Sequence, residues 1–451
     1  MSDEAQQAEP QRSPIKRIFV NTAWLLGGNG FGAACSLIYL AILTRTLGLK
    51  GFGHFSLILG TAQAMVAIAG FQSWRVVVRY GAPHIYASDW NKFGRLAMLC
   101  GLFDILGALA GTAFAFALFY GFADILDLNP AYVNIALAFC CASLWALNSA
   151  ATGILRALDR FDSMVYVESV VPTGRLIAAL VVLWAGATVG RFLFAWAAIS
   201  LLQAILYWIT ARRLCPQAVR LTHLRNWRQA LTDNPGVEHF FLVTYAGSTL
   251  DAITRNGPLL AVGGLVGTQA AGLYRLASQL TQAMSKLSTL LARAVYAEVA
   301  RARVTSAVAE FRKLAAQTSI IAGLAGVIVV AMAIALGGKL LGLIGGEVFE
   351  RGALILVPLA IAASFELASV AFEPVLHSTG RARYALLGRV MWISALLIAL
   401  YLLASQGAPG IAWAVAVGGG AGYVAMGLMA MHTLRRIADG DTSTPTSTVE
   451  P

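Results

Sequence analysis

The sequence predicts an all-α integral membrane protein. Twelve transmembrane helices form two six-helix lobes, related by a pseudo-two-fold axis along the membrane normal and facing a central cavity. Three observations carry this expectation. Only 12% of the 451 residues are charged and 58% are hydrophobic, whereas a soluble chain carries about 25% charged residues. Twelve apolar stretches are long enough to cross a bilayer as helices. A motif in the first half returns in the second at a constant spacing of 219 residues.

The expected spans are 19–43, 54–74, 96–120, 131–155, 164–186, 189–211, 239–264, 271–292, 314–337, 353–374, 384–404 and 409–432. Connections as short as "AGATVG" and "SQGAPG" force antiparallel neighbours. Domain bounds follow: lobes at 16–211 and 239–436, a linker at 212–238, and polar, disordered cytoplasmic tails at 1–15 and 437–451. The first 14 residues have no apolar core or cleavage site and do not read as a signal peptide. The linker interleaves apolar and basic residues, as does a helix lying on an anionic leaflet.

Charge placement sets the orientation. The N-terminus, the C-terminal flank and the connections on their side hold 23 of the 33 Lys and Arg residues. The opposite side holds 5: Arg45, Lys50, Arg191, Lys339 and Arg351. The positive-inside rule then puts both termini in the cytoplasm. The net charge of +11 is thereby a matter of topology, with no nucleic-acid partner implied. The five cysteines lack metal-ligand spacing, and no metal site is expected.

The repeat lies between "LGLKGFGHFSLILGTAQAM" and "VGTQAAGLYRLASQLTQAM". Gly48 matches Gly267, Gly53 matches Gly272, Phe55 matches Tyr274, and Gln63-Ala64-Met65 matches Gln282-Ala283-Met284. "FGRLA" (93–97) and "FAWAA" (194–198) echo "FRKLA" (311–315) and "IAWAV" (411–415). A six-helix unit returns with the same orientation, so the halves are parallel repeats. The recurring glycines mark a turn between the first two helices of each half, with φ > 0 or a close helix approach. Lys50 and Gly51 do not recur, and the spacing is not that of a nucleotide-binding loop.

Ionisable residues inside spans are costly and usually face a cavity or a partner. In the eighth span Arg275, Gln279, Gln282 and Lys286 share one face. Their first-half counterparts are Ser56, Gly60, Gln63 and Ala67, so only the second copy is cationic. The seventh span carries Asp251 and Arg255 four residues apart, an internal pair, followed by Asn256-Gly257-Pro258. The proline predicts a kink, and Gly257 and Pro258 a hinge. Asp104, Glu168 with Arg175, Glu366 with Glu373, and Arg389 are the other buried charges. The acids Asp251, Glu366, Glu373, Asp104 and Glu168 are candidates for ion coupling or gating, or for structural pairing. Thr22, Asn29 and Ser36 form a neutral stripe in the first span, and "GGGAG" (418–422) reads as close helix packing.

The first span ends in "LTRTLGLKGFGHFSL" and the second in "GFQSWRVVVRYGA". With twelve spans in two lobes, this resembles the polysaccharide transporter family, which contains O-antigen and exopolysaccharide-unit flippases. The family belongs to the multidrug/oligosaccharidyl-lipid/polysaccharide exporter superfamily. The bent seventh helix and cationic cavity also resemble lipid II flippases, which usually have fourteen spans. The resemblance implies a bacterial inner-membrane flippase. Its substrate would be a polyprenyl-diphosphate-linked oligosaccharide, and polysaccharide polymerase and chain-length machinery possible partners.

The residues fit that implication on their own terms. A diphosphate needs cations in a low-dielectric cavity, and Arg255, Arg275, Lys286, Arg175 and Arg389 are the candidates. Asn29, Gln63, Gln279 and Gln282 are the candidate sugar contacts. Arg45 and Lys50 are left for a late, outward-facing contact. No nucleotide motif is present, so an H+ or Na+ gradient is the expected drive and no cofactor is expected. A cation-exporting multidrug transporter would want an acidic cavity instead. A membrane glycan polymerase or ligase would want a large external loop, and the longest here, 337–353, is short.

Overall fold

A computed structural model describes the backbone of residues 14–121, 130–301, 308–369, 372, 376 and 382–438, and side chains over 30–121, 130–286, 320–369, 372, 376, 384 and 386–433. Among these residues the regular elements are helices. They are α1 (Pro14–Ala69), α2 (Trp74–Tyr86), α3 (Trp90–Gly121), α4 (Pro130–Leu144), α5 (Ser149–Ala157), α6 (Phe161–Ala185) and α7 (Val189–Leu214). After the short turns α8 (Thr222–Arg225) and α9 (Trp227–Thr232) come α10 (Val237–Leu265), α11 (Thr268–Arg301) and α12 (Val308–Gly345). The last are α13 (Ala353–Ser369), α14 (Ala382–Leu403) and α15 (Gly407–Ala438). The described residues of the expected spans are mainly helical, eight helical stretches among them are long and apolar enough to cross a membrane, and the chain is an all-α, multi-pass membrane protein. The tails at 1–13 and 439–451 lie outside the described residues.

The first two spans, together α1, are two helices joined without a gap at Gly48, which takes the non-helical values φ 64° and ψ −179°. Its repeat partner Gly267, between α10 and α11, also has positive φ, 111°. An L-residue is strained there, which explains the recurrence of glycine. The matched glycines also meet across the lobes. A Cβ on Gly53 would overlap the carbonyl of Thr268, and one on Gly272 would stand 3.0 Å from the carbonyl oxygen of Leu49. Leu49 and Thr268 are themselves repeat partners, so the two turns cross by the same contact read in both directions.

This crossing closes the arginine-poor face. Arg45 donates to the carbonyls of Leu343 (2.6 Å) and Ile344 (3.3 Å), satisfying C-terminal acceptors of α12. Thr44 donates to Ile344 at 3.2 Å. The 3₁₀ turn Glu347–Gly352 tucks buried Phe349 against Phe52, with ring centroids 6.0 Å apart.

On the arginine-rich face a second core joins α2, α3, α5 and α7 to the linker, through Val77, Phe93, Ile154, Tyr207 and Ala218. Here the structure adds to the expected surface-lying linker. Ala218 and Ala230 are fully buried, Arg95 pairs with Asp233 at 2.7 Å, and His84 meets Asn234 at 2.8 Å. The linker is fastened to the first lobe, while its exposed side keeps Leu221, Trp227 and several arginines.

One local departure has a physical cause. The fourth span is broken at 145–148 into α4 and α5, and Asp104 holds the break. Its carboxylate accepts from the Ala150 N–H (3.0 Å) and the Ser73 hydroxyl (2.8 Å). A carboxylate at a helix start satisfies donors that have no intrahelical partner. At the proline of the seventh span, α10 continues as one helix through Gly257 and Pro258. The glycine run of α15 behaves as expected: Gly418 and Gly422 pack on Trp392 of α14, and Gly419 on Ala362 of α13.

Candidate functional site: a cationic cavity between the lobes

A cavity of about 470 Å³ lies among α1, α6, α7 and α11. Each helix contributes a face that its spacing dictates. From α6 come Glu168, Ser169, Pro172 and Arg175, with the two charges seven residues apart and therefore on one side. From α11 come Gln279, Gln282 and Lys286, again two turns of one face, and from α1 Ser36 and Tyr39. Gln203 of α7 completes the polar lining. The cavity thus sets two cations against one acid among hydroxyl and amide groups.

The cations are held open to a ligand. Arg175 lies over the ring of Trp196, its guanidinium 5.6 Å from the centroid, and its Nε is buried with no hydrogen-bond partner. Trp196 also meets the edge of Tyr39, with centroids 5.3 Å apart. Lys286 is exposed into the cavity. Arg275, one turn of α11 from Gln279, donates to Gln63 at 3.3 Å and keeps a buried, unpartnered Nε. Glu168 accepts from the hydroxyl of Tyr207 at 3.2 Å. An unpartnered buried guanidinium N–H is costly, and an anion bound there would relieve that cost.

The sequence-derived candidates sort into four groups. Arg175, Lys286, Glu168, Gln279 and Gln282 line the cavity. Arg275 and Gln63 form the hydrogen-bonded pair just described, outside the lining. Arg255, Asp251, Glu366 and Arg389 lie in a separate cluster of the second lobe. There Arg389 pairs with Asp251 at 3.3 Å, and Glu366 is within electrostatic reach of Arg255 and Asp251. Asp251 therefore has a partner on α14 that the four-residue spacing to Arg255 did not foresee. Asp104 stands apart from these three: it is 6% exposed and caps α5. Glu373 and the side chain of Asn29 lie outside the described residues. Gln203, Tyr39 and Tyr207 were missed. Gln203 stands as a lone amide in the run "ISLLQAILYW", which was a readable signal. Among the described residues no group of three His, Cys, Asp or Glu is placed for a metal.

Two helical lobes with repeat-related first turns enclose a polar cavity within an otherwise apolar, membrane-spanning bundle. The fold matches an inward-facing multidrug resistance MATE family transporter of the MOP superfamily with a TM-score of 0.71. That match covers 92% of this chain and 96% of the other at 14% identity. It also matches the lipid II flippase MurJ in an inward closed conformation, with a TM-score of 0.67 over 92% and 90% of the two chains at 12% identity. In sequence, residues 18–296 match the family model described as polysaccharide biosynthesis protein. The chain belongs to that family. It is 24% identical over 333 residues to the inner membrane protein YghQ of Escherichia coli (strain K12), covering 74% of this chain and 93% of that one.

Proposed function

We propose that the protein is an alternating-access flippase for a polyprenyl-diphosphate-linked oligosaccharide, moving it from the cytoplasmic to the outer leaflet of the bacterial inner membrane. The observation that carries this reading is the cavity. Two lining cations, Arg175 and Lys286, face one acid among amide side chains. A diphosphate would sit on these cations, with Arg275 above them, in a low dielectric where each charge counts for more than in water. Gln203, Gln279 and Gln282 would contact the first sugars, and Asn29 is kept as a further sugar contact. The volume suits a headgroup rather than a whole glycan. The remaining sugars would lie toward the open side and the lipid tail between the lobes.

In this reading the arginine-rich face is cytoplasmic, so the closed crossing of Gly48 and Gly267 makes the described state inward-facing. An H+ or Na+ gradient would supply the drive, with Glu168 as the acid sharing space with the cations and Asp251 and Glu366 as second-lobe candidates. Gly257 and Pro258 would take up bending of α10. Arg389, paired with Asp251, and Arg255, within electrostatic reach of Glu366, would serve the second lobe's charge balance before the diphosphate.

The test is export of the lipid-linked glycan in cells lacking the native protein. Lys286→Glu and Arg175→Glu should each abolish surface glycan while Lys286→Arg keeps it. Normal glycan in both reversal variants, at wild-type protein levels, would sink the reading.

A further inference from the structure

A second cavity, about 440 Å³, lies on the outer flank of the first lobe, away from the central one. One stripe of α7 builds its wall: Leu201, Ile205, Trp208 and Arg212, spaced so that they share a face. The gap between α4 and α5 supplies the opposite wall, through Trp145 and Leu147. Where α4 stops, the carbonyl of Leu147 loses its helical partner, and the indole of Trp208 donates to it at 2.7 Å. This bond fixes Trp208 across the gap. The break in the fourth span therefore creates the groove. An unbroken helix would place side chains where the groove now runs.

The chemistry changes along the groove. Its length is apolar and turned outward: the lining residues Ile205 and Ile209 are 55% and 41% exposed. From Leu201 to Arg212 the helix rises about 16 Å, a run suited to an acyl chain. At its end stands Arg212, exposed and without a hydrogen bond or ion pair among the described residues, with Arg213 and Arg220 also exposed. Tryptophans at the level where an apolar surface meets basic residues are the signature of a membrane interface.

We propose that this groove is a binding site for an anionic glycerophospholipid, one acyl chain along α7 between Trp145 and Trp208 and the phosphate on Arg212. The proposal is independent of the transported substrate. It commits to a lipid because the groove opens to the bilayer. It commits to an anionic lipid because the end of the groove is cationic and the described lining residues include no acid.

Quenching of tryptophan fluorescence by brominated lipid tests it on the full-length protein. The protein is reconstituted in phosphatidylethanolamine nanodiscs with increasing brominated phosphatidylglycerol or brominated phosphatidylethanolamine. The groove's signal is assigned by its loss in Trp145→Phe. The phosphatidylglycerol probe should quench that signal at roughly fivefold lower mole fraction, the worth of about one basic side chain at an anionic surface. Arg212→Gln should bring the two lipids together, and Arg212→Lys should keep most of the difference. Raising salt on the wild-type protein should shrink it too, which needs no variant to fold. Equal quenching by both lipids in the wild type, or a preference that survives Arg212→Gln, would overturn the proposal. Equal displacement of the bound probe by an uncharged polyprenol would do the same.

Discussion

The turns at Gly48 and Gly267 can be laid over each other residue by residue, whereas the helical faces that descend from them cannot. Both glycines hold positive φ, and Gly53 and Gly272 approach the carbonyls of Thr268 and Leu49, themselves a matched pair. Below the turn, Ser56 of α1 is fully buried where the second copy has Arg275, and Ala67 stands where it has Lys286. Backbone geometry has no substitute at these glycines, so both copies keep it. Side-chain chemistry on a cavity wall needs to be right only once, so one copy is free to become cationic. The first lobe contributes its own cation from a different helix, Arg175 of α6, alongside the acid Glu168.

The strongest way to break this comparison is to move the charge between copies. Lys286→Ala should lower glycan export by at least tenfold and Lys286→Glu by roughly a hundredfold or more, for loss of a charge-assisted contact worth about 1.5–3 kcal/mol. Adding Ala67→Lys to Lys286→Ala restores the net charge without restoring the site, so export should stay low. Recovery in the double variant, measured as surface glycan at matched expression, would show that only net charge matters.

The shared turns predict a smaller and asymmetric effect. A methyl on Gly53 collides with backbone, which cannot swing away, while the same methyl on Gly272 meets a contact of 3.0 Å. Gly53→Ala should favour opening of the arginine-poor face by about 1–3 kcal/mol, the range for overpacking, and Gly272→Ala by less. Spin-label distances across that face, between α1 and α12, are the readout. Equal shifts from the two variants would remove the asymmetry.

Two acids of the first lobe separate fold from function. Asp104→Ala removes a helix cap and should cost about 1–2 kcal/mol of stability, seen as a lower midpoint in thermal unfolding. Glu168→Gln keeps size and hydrogen bonding, so it should leave the midpoint in place and alter transport. The sequence showed both as carboxylates in apolar runs and gave no direct sign that one is a cap and the other a cavity group. Asp104 is defined by Ser73 and Ala150, 31 and 46 residues away, and the α5 start it caps is marked by no proline or glycine. Glu168 was easier to place, because Arg175 lies two turns along the same helix and fixes a common face. The faces of α6 and α11 and the bend at Gly48 were legible for the same reason: periodicity and glycine act locally. The crossing of the two turns, the break in the fourth span and the partners of buried charges depend on residues distant in sequence, so they were not.

The smallest effect concerns the charged cluster of the second lobe. Asp251 and Arg389 pair at 3.3 Å across 138 residues, and the aspartate side chain is half exposed, at 52%. An exposed pair of this kind is worth about 0.2–1 kcal/mol. A double-mutant cycle with Asp251→Asn and Arg389→Gln, read by thermal unfolding, should therefore give a coupling in that range. The pair then acts as a weak tether between α10 and α14, easily released when α10 moves. A coupling of several kcal/mol would instead make it a fixed strut. The part of α10 that follows, at Gly257 and Pro258, would then be the better place to look for motion, because a strut at Asp251 leaves the helix free to bend only beyond it.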